Sequence, residues 1–167
     1  VRFGNILNSN GSVLHVFKDF FDKGEPLPIT SIDMTRFFLR MQDAVELCHF
    51  ALTNMVGGEI FVRSMGSADI LTLAKAFSKS KKIKHVVIGL RPGEKLYEEL
   101  LTEQESHRTH ILGDYLVVLP EIMEFFKDEV QEKLTSYRAL PKMDSELRSD
   151  KTCLSVEEME ELLMDNL

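Results

Sequence analysis

Three short stretches set a charged or amide side chain beside a glycine or at the end of an apolar run. They are Arg2-Phe3-Gly4-Asn5 with Ser9-Asn10-Gly11-Ser12-Val13 behind it, Asp33-Met34-Thr35-Arg36-Phe37, and Gly89-Leu90-Arg91-Pro92-Gly93-Glu94-Lys95-Leu96. Residues of these types hold a ligand more readily than they break a bond. An arginine at such a place is either a surface residue paired to an acid, with Asp33 and Glu94 nearby in sequence, or a planar fork of permanently charged donors for an oxyanion. Gly11, Ser12 and Val13 open a helix. Their backbone N–H groups are placed to meet a phosphate or sugar oxygen, where the helix dipole also favours negative charge; the alternative is plain capping.

Other chemistries find little support. His107 and His110 are spaced i, i+3 but have no acidic or cysteine partner at ligand spacing, so no zinc site is expected. His15 and His49 fall in helices as packing or surface residues, and no Ser/His/Asp arrangement can be assembled. Cys48 and Cys153 show no CxxC spacing, which points to neither a disulfide framework nor a metal site and fits a reducing cytoplasm. The chain has 167 residues, 44% of them hydrophobic, enough for a real core. Its 27 acidic against 20 basic residues give a net charge of -7. That balance argues against a nucleic-acid or anionic-membrane surface, so an anionic ligand would be held by a few placed arginines. Lys79, Lys81, Lys82 and Lys84 read as a solvated turn. No apolar run is long enough to span a bilayer and no leader opens the chain. Val1 to Asn5 reads as a strand without a preceding turn, which suggests a piece of something longer.

The elements that must carry these residues alternate between helix and strand. Val13, Val16, Phe17 and Phe20 hold helical spacing up to Gly24. Pro26 and Pro28 bracket an extended stretch through Thr30, and Thr35 to Leu39 reads as a strand. Met41, Ala44, Val45, Cys48, Ala51, Leu52 and Met55 form one helical stripe closed by Gly57 and Gly58. Glu59 to Val62 is a strand, Ser67 caps a third helix through Phe77, and Lys84 to Ile88 suits a buried strand. Leu96, Tyr97, Leu100 and Leu101 suggest a short helix with Glu94 in its first turn. Tyr115 to Leu119 is a further strand. Between Pro120 and Lys151 the pattern weakens, with one helix at most, and Ser155 with Glu158 forms a capping box for a closing helix.

In order along the chain, VRFGN, SNGSV, PLPIT, MTRFF, GGEIFV, GLRPGEKLYEELL, GDY and LSVEEMEELL resemble the C-terminal half of the polysaccharide-biosynthesis family of UDP-N-acetylglucosamine 4,6-dehydratases. That family belongs to the extended short-chain dehydrogenases and includes inverting enzymes that also epimerise the fifth sugar carbon. The resemblance implies an α/β fold: the last part of a Rossmann-type sheet followed by a small substrate-binding lobe, with residues 1–167 as one substrate-binding portion. It also implies that NADP and the catalytic Tyr/Lys pair reside in an N-terminal half that is not in this chain. None of the nine glycines forms GxGxxG after a strand, and Tyr97, Tyr115 and Tyr137 are followed four residues on by Leu101, Leu119 and Pro141. No cofactor is expected to bind the chain alone.

By resemblance, Arg36 and Arg91 face the diphosphate of a UDP-sugar and Glu94 accepts hydrogen bonds from the ribose hydroxyls, although Glu94 also suits a helix N-terminus. Asn5 contacts the substrate through its amide, Ile6 lies near the nicotinamide, and Thr30 flanks the uracil; Asn5 and Ile6 could equally be packing residues. Asn10, His15 and Ser31 depart from the family, which commonly has Arg, Pro and Asp there, and the loss of a cation at position 10 bears on sugar identity. The parent is expected to be a cytoplasmic homo-oligomer. A stand-alone, noncatalytic nucleotide-sugar-binding module is the other reading.

Overall fold

The computed structural model describes residues 1–79 and 83–164; Lys81 and Lys82 of the lysine run lie outside them. In chain order the elements are β1 (Asn5–Ile6), α1 (Val13–Asp22), β2 (Leu27–Ile29), β3 (Thr35–Leu39), α2 (Met41–Asn54), β4 (Ile60–Arg63), β5 (Ser67–Asp69) and α3 (Ile70–Ser78). They continue with β6 (His85–Val87), β7 (Glu99–Leu101), α4 (Glu103–Ser106), β8 (Thr109–Leu112), β9 (Tyr115–Val118), α5 (Asp128–Tyr137), β10 (Leu147–Arg148) and α6 (Val156–Met164). The architecture is mixed α/β with small sheets. Among the described residues, no helix is long and apolar enough to cross a membrane.

The chain divides into two compact units. The first comprises Val1–Phe3, Gln42–Ser64 and Glu99–Arg148. Its antiparallel sheet runs β4-β9-β8, and Leu47, Phe61, Val117 and Leu134 form its core. The second comprises Gly4–Met41, Met65–Glu98 and Ser149–Leu167. It holds the sheet β1-β3-β5, parallel between β1 and β3 and antiparallel between β3 and β5, together with the parallel pair β2–β6. Phe17, Ile29, Leu73, Met159 and Leu163, contributed by α1, β2, α3 and α6, are its most buried apolar residues.

Local chemistry explains the element ends in the second unit. Helix α1 stops in a Schellman pair: Gly24 N–H donates to the Phe21 carbonyl, Glu25 N–H donates to the Phe20 carbonyl, and Gly24 takes a φ of +71°. The Ser155/Glu158 capping box forms in both directions at the start of α6. Gly4 allows β1 to lie against β3, because a Cβ there would sit 2.4 Å from Cβ of Phe37.

Several expectations need correction. Val1 to Asn5 is not a strand: Arg2 makes an isolated bridge with Val62, and the strand is Asn5–Ile6. Ser67 does not cap α3. It lies in β5, and Asp69 is the cap, accepting from the Thr72 N–H and hydroxyl. Residues Leu96 to Leu101 form no helix, because the carbonyls a helix would use internally are taken by others: Lys95 by Arg36, Leu96 by the Thr35 N–H and Glu98 by the Ser149 N–H. Strand β6 is exposed rather than buried. In α2 the buried side is Asp43, Ala44, Leu47 and Ala51, while Met41, Val45, Leu52 and Met55 face outward. Apolar residues occur nearly all round that helix, so spacing alone does not choose a side.

In the first unit the Arg2 guanidinium grips Glu105 through both carboxylate oxygens, at 2.8 and 2.9 Å, and the Leu100 carbonyl at 2.9 Å. Hydrogen bonding by Arg2 holds the Glu105 carboxyl down at about 2, against an ordinary 4.5. Since the folded value lies below the unfolded one, this pair contributes fully above pH 4.5 and its contribution disappears as pH falls toward 2. Arg2→Ala should therefore cost about 1 kcal/mol near neutrality, the low end for charge-assisted bonds because Arg2 is 35% exposed. Urea titrations at several pH values should show that difference shrinking in acid to what the Leu100 carbonyl bond alone contributes.

Candidate functional site

A cavity of about 600 Å³ lies in the second unit, and every residue that sequence reasoning nominated for ligand contact lines it. Asn5 and Ile6 come from β1, Gly11, Ser12 and Val13 from the start of α1, and Thr30 from the end of β2. Arg36 comes from β3, and Arg91 and Glu94 from the loop after β6. The wall between these polar points is apolar, made by Val16, Phe20, Met34, Phe38, Ile70 and Ile88. A largely apolar wall with a few converging polar groups is the usual composition of a small-molecule site.

The mouth of α1 is arranged for an acceptor. Ser12 stands at the N-cap with extended backbone, φ -65° and ψ 158°, yet its side chain makes no capping bond, and its buried Oγ has no partner. The first turn carries no acidic residue. The leading N–H groups of a helix lack partners within it; here Ser12 N–H donates to the Ser9 carbonyl and His15 N–H to the Ser12 carbonyl, which leaves those of Val13 and Leu14, two residues that line the cavity. Leaving such a group unmade costs about 1–3 kcal/mol unless a ligand or water satisfies it.

The loop after β6 holds a tight turn. Proline and glycine fill its two middle positions, Gly93 adopts φ +86°, and Glu94 N–H donates to the Arg91 carbonyl at 3.0 Å. This is the backbone a type II turn requires, and glycine is the residue that enters it without strain. Oε2 of Glu94 accepts the Arg91 N–H at 2.8 Å, so the carboxylate fastens the turn; the helix that Glu94 was also read as starting is not there. Arg91 is exposed, and among the described residues its guanidinium makes no ion pair or hydrogen bond.

Arg36 is differently placed. Its Nη1 donates to the Thr35 carbonyl at 2.7 Å and the Leu96 carbonyl at 3.4 Å, and its Nη2 donates to the Lys95 carbonyl at 2.8 Å. Nε lies 3.3 Å from Glu98, so the acid beside it is Glu98 rather than Asp33 or Glu94. Burial pushes the Glu98 carboxyl above its ordinary range, with Arg36 and then Lys95 opposing the shift. Most of the five N–H hydrogens of a guanidinium are thereby committed, leaving one on Nη2.

Sequence reasoning missed the apolar wall residues and Glu98. Val16 and Phe20 were read as core, although Val16 is 40% exposed and only Leu14 and Phe17 of that helix are fully buried. Glu98 carried no signal, since an acid in a charged run reads as solvated. Among the described residues no group of His, Cys, Asp or Glu could hold a metal ion, and His110 is buried with Nδ1 3.2 Å from the Leu140 carbonyl.

With this geometry established, comparison with known proteins becomes informative. A model of the family described as polysaccharide biosynthesis protein matches residues 1–120. The chain belongs to that family. It is 43% identical over 129 residues to an uncharacterized membrane protein of Methanocaldococcus jannaschii, covering 72% of this chain and 39% of that one. A UDP-N-acetylglucosamine 4,6-dehydratase (inverting) of Campylobacter jejuni is 38% identical over 128 residues, covering 76% and 38%. A UDP-glucose 4-epimerase of Rickettsia canadensis is 38% identical over 118 residues, covering 68% and 34%. The X-ray structure of Pen from Bacillus thuringiensis superposes with a TM-score of 0.81 at 27% identity, over 99% of this chain and 48% of its own. The polysaccharide biosynthesis chain studied here thus spans less than half the length of these proteins.

The unpartnered Ser12 hydroxyl makes a direct prediction. Replacing a capping serine by alanine ordinarily costs about 1 kcal/mol, but Ser12→Ala removes a buried group that bonds to nothing. Urea denaturation of the ligand-free chain should show stability unchanged or raised. A loss of about 1 kcal/mol would mean that Oγ does cap α1.

Proposed function

We propose that residues 1–167 are the substrate-binding portion of an NADP-dependent UDP-N-acetylglucosamine 4,6-dehydratase, which dehydrates a UDP-N-acetylhexosamine for surface-polysaccharide or glycan synthesis, either inverting or retaining configuration at the fifth carbon. The observation that carries this reading is the convergence of Asn5, Ser12, Thr30, Arg36, Arg91 and Glu94 on one cavity. The family membership and the Campylobacter jejuni relative support the same direction.

The chain's own residues would do the following. Arg91, exposed and without an ion pair among the described residues, offers a bidentate fork to the diphosphate, and the N–H groups at the start of α1 with the Ser12 hydroxyl meet a phosphate or sugar oxygen. Glu94, with Oε2 on the Arg91 N–H, turns its other oxygen to a ribose hydroxyl. Thr30 stands beside the uracil and the apolar wall excludes water around the base. Asn5 touches the sugar. NADP would supply hydride transfer, and Ile6 would lie near its nicotinamide end. The glycines of this chain form no dinucleotide-binding turn, so the cofactor and the catalytic pair are assigned to an N-terminal half. A cytoplasmic homo-oligomeric parent is part of the reading on family resemblance alone.

A second reading, a noncatalytic nucleotide-sugar-binding module, is favoured by one fact: the whole cavity is built from residues 5–94 of this chain. It predicts binding without turnover even when a dinucleotide-binding half is supplied.

Calorimetric titration of UDP-N-acetylglucosamine into the chain and into Arg91→Ala tests the site. Losing a charge-assisted contact of about 1.5–3 kcal/mol weakens binding by roughly ten- to a hundredfold. Equal affinity in both would remove Arg91 from the diphosphate.

A further inference from the structure

We infer that Glu98 and Ser149 are positioning residues of this cavity, which act through Arg36 and Thr35 to lock the loop that presents Arg91 and Glu94. The inference rests on the anion-binding reading above and adds to it two residues that do not line the cavity.

Between Gly89 and Glu98 the chain has no regular structure, and Gly89 and Gly93 both adopt φ +86° with open space around them. Such a loop keeps one geometry only if its ends are fastened. Its C-terminal end is tied to β3 by the Thr35 N–H on the Leu96 carbonyl at 2.8 Å and by Arg36 on the Lys95 and Leu96 carbonyls. Glu98 holds the far side of the Arg36 guanidinium at 3.3 Å, where Arg36 is only 11% exposed.

Ser149 closes the arrangement from the other end of the sequence. It is fully buried, its N–H donates to the Glu98 carbonyl at 2.9 Å, and its Oγ accepts the Glu98 N–H at 2.9 Å. The same Oγ lies 2.8 Å from the Thr35 hydroxyl and 3.2 Å from the Thr35 carbonyl. A hydroxyl has one proton and two lone pairs. Donation to the Thr35 carbonyl, with acceptance from the Glu98 N–H and the Thr35 hydroxyl, uses all three. Alanine fits the space and supplies none of these bonds, so it leaves a buried N–H and a buried hydroxyl without partners. The loop would then sample more positions, and Arg91 would meet a diphosphate less often in the right place.

The test compares the wild-type chain with Ser149→Ala and Glu98→Gln. Hydrogen exchange without ligand is read at the Arg91 and Glu94 amides, whose bonds are made within the turn and not to Ser149. Affinities for UDP and for uridine are measured by titration. We expect both amides to exchange at least about tenfold faster in Ser149→Ala, and UDP affinity to fall by about tenfold while uridine affinity, which depends on the same loop only through Glu94, falls by less. Glu98→Gln should shift both readouts in the same direction and by less. In the Arg91→Ala background, Ser149→Ala should cost less UDP affinity than it does in the wild-type chain, because the part that passes through Arg91 is already gone. A general loss of structure would weaken uridine as much as UDP and would overturn the inference, as would unchanged exchange and an unchanged UDP-to-uridine ratio in both variants. If Ser149→Ala fails to fold, Glu98→Gln decides by the same readouts. If the wild-type chain binds no UDP, the proposed function falls and the exchange comparison decides the clamp, with unchanged rates overturning it.

Discussion

The carbonyl groups of residues 95–98 have no helical partners, and the way they are satisfied sets the geometry around the cavity. Lys95 and Leu96 are exposed and Glu98 is half-buried, so water could serve these carbonyls, yet all three are taken by donors of the chain. Here the donors come from β3 and from Ser149: the Thr35 N–H, the Arg36 guanidinium and the Ser149 N–H. The segment is therefore held extended, pinned to the middle strand of β1-β3-β5. That pinning decides where Arg91 and Glu94 stand, because only a short turn separates them from the fastened carbonyls. Gly93 at φ +86° finishes the job by turning the chain sharply before the pinned stretch.

The same arrangement localises positive charge in a chain whose net charge is -7. Arg36 is matched by Glu98 at close range, so much of its field is cancelled where it is made. Arg91 has no such match among the described residues, and the first turn of α1 has no acid to cancel its dipole. The cavity thus holds one guanidinium and one helix start free to act on an anion, against walls of Phe, Met, Ile and Val that weaken screening. A long-range attractive surface is not needed for this, and an acidic chain does not preclude it.

Elements whose signal is local were legible in the sequence. Thr35 to Leu39 forms the strand its β-branched and aromatic residues indicate, α1 begins after Ser12, and the Ser155/Glu158 box opens α6. Elements decided by distant partners were not. The residues from Leu96 to Leu101 have helical spacing, yet their carbonyls are claimed from outside, and the outward side of α2 carries Met41, Val45 and Leu52 among its polar residues. The nominated site residues converge because they were chosen by resemblance and by the chemistry of a helix start, both of which sit in short motifs. Glu98 and Ser149 could not be found in that way. One lies in a run of acids and the other in a stretch with scattered apolar residues, and their roles exist only through contacts to Thr35 and Arg36.

Ser149 meets Thr35 across 114 positions of the chain. During synthesis, residues 1–120 would leave the ribosome before Ser149 and before α6, whose Met159 and Leu163 complete the core of the same unit. The hydroxyl that fastens the loop would still be unmade or inside the exit channel. Closing so distant a contact is slow compared with forming helices or tight turns. The cavity's loop therefore cannot become rigid early, and a nascent chain stopped short of Ser149 would carry Arg91 and Glu94 without the bonds that Ser149 makes to Glu98 and Thr35.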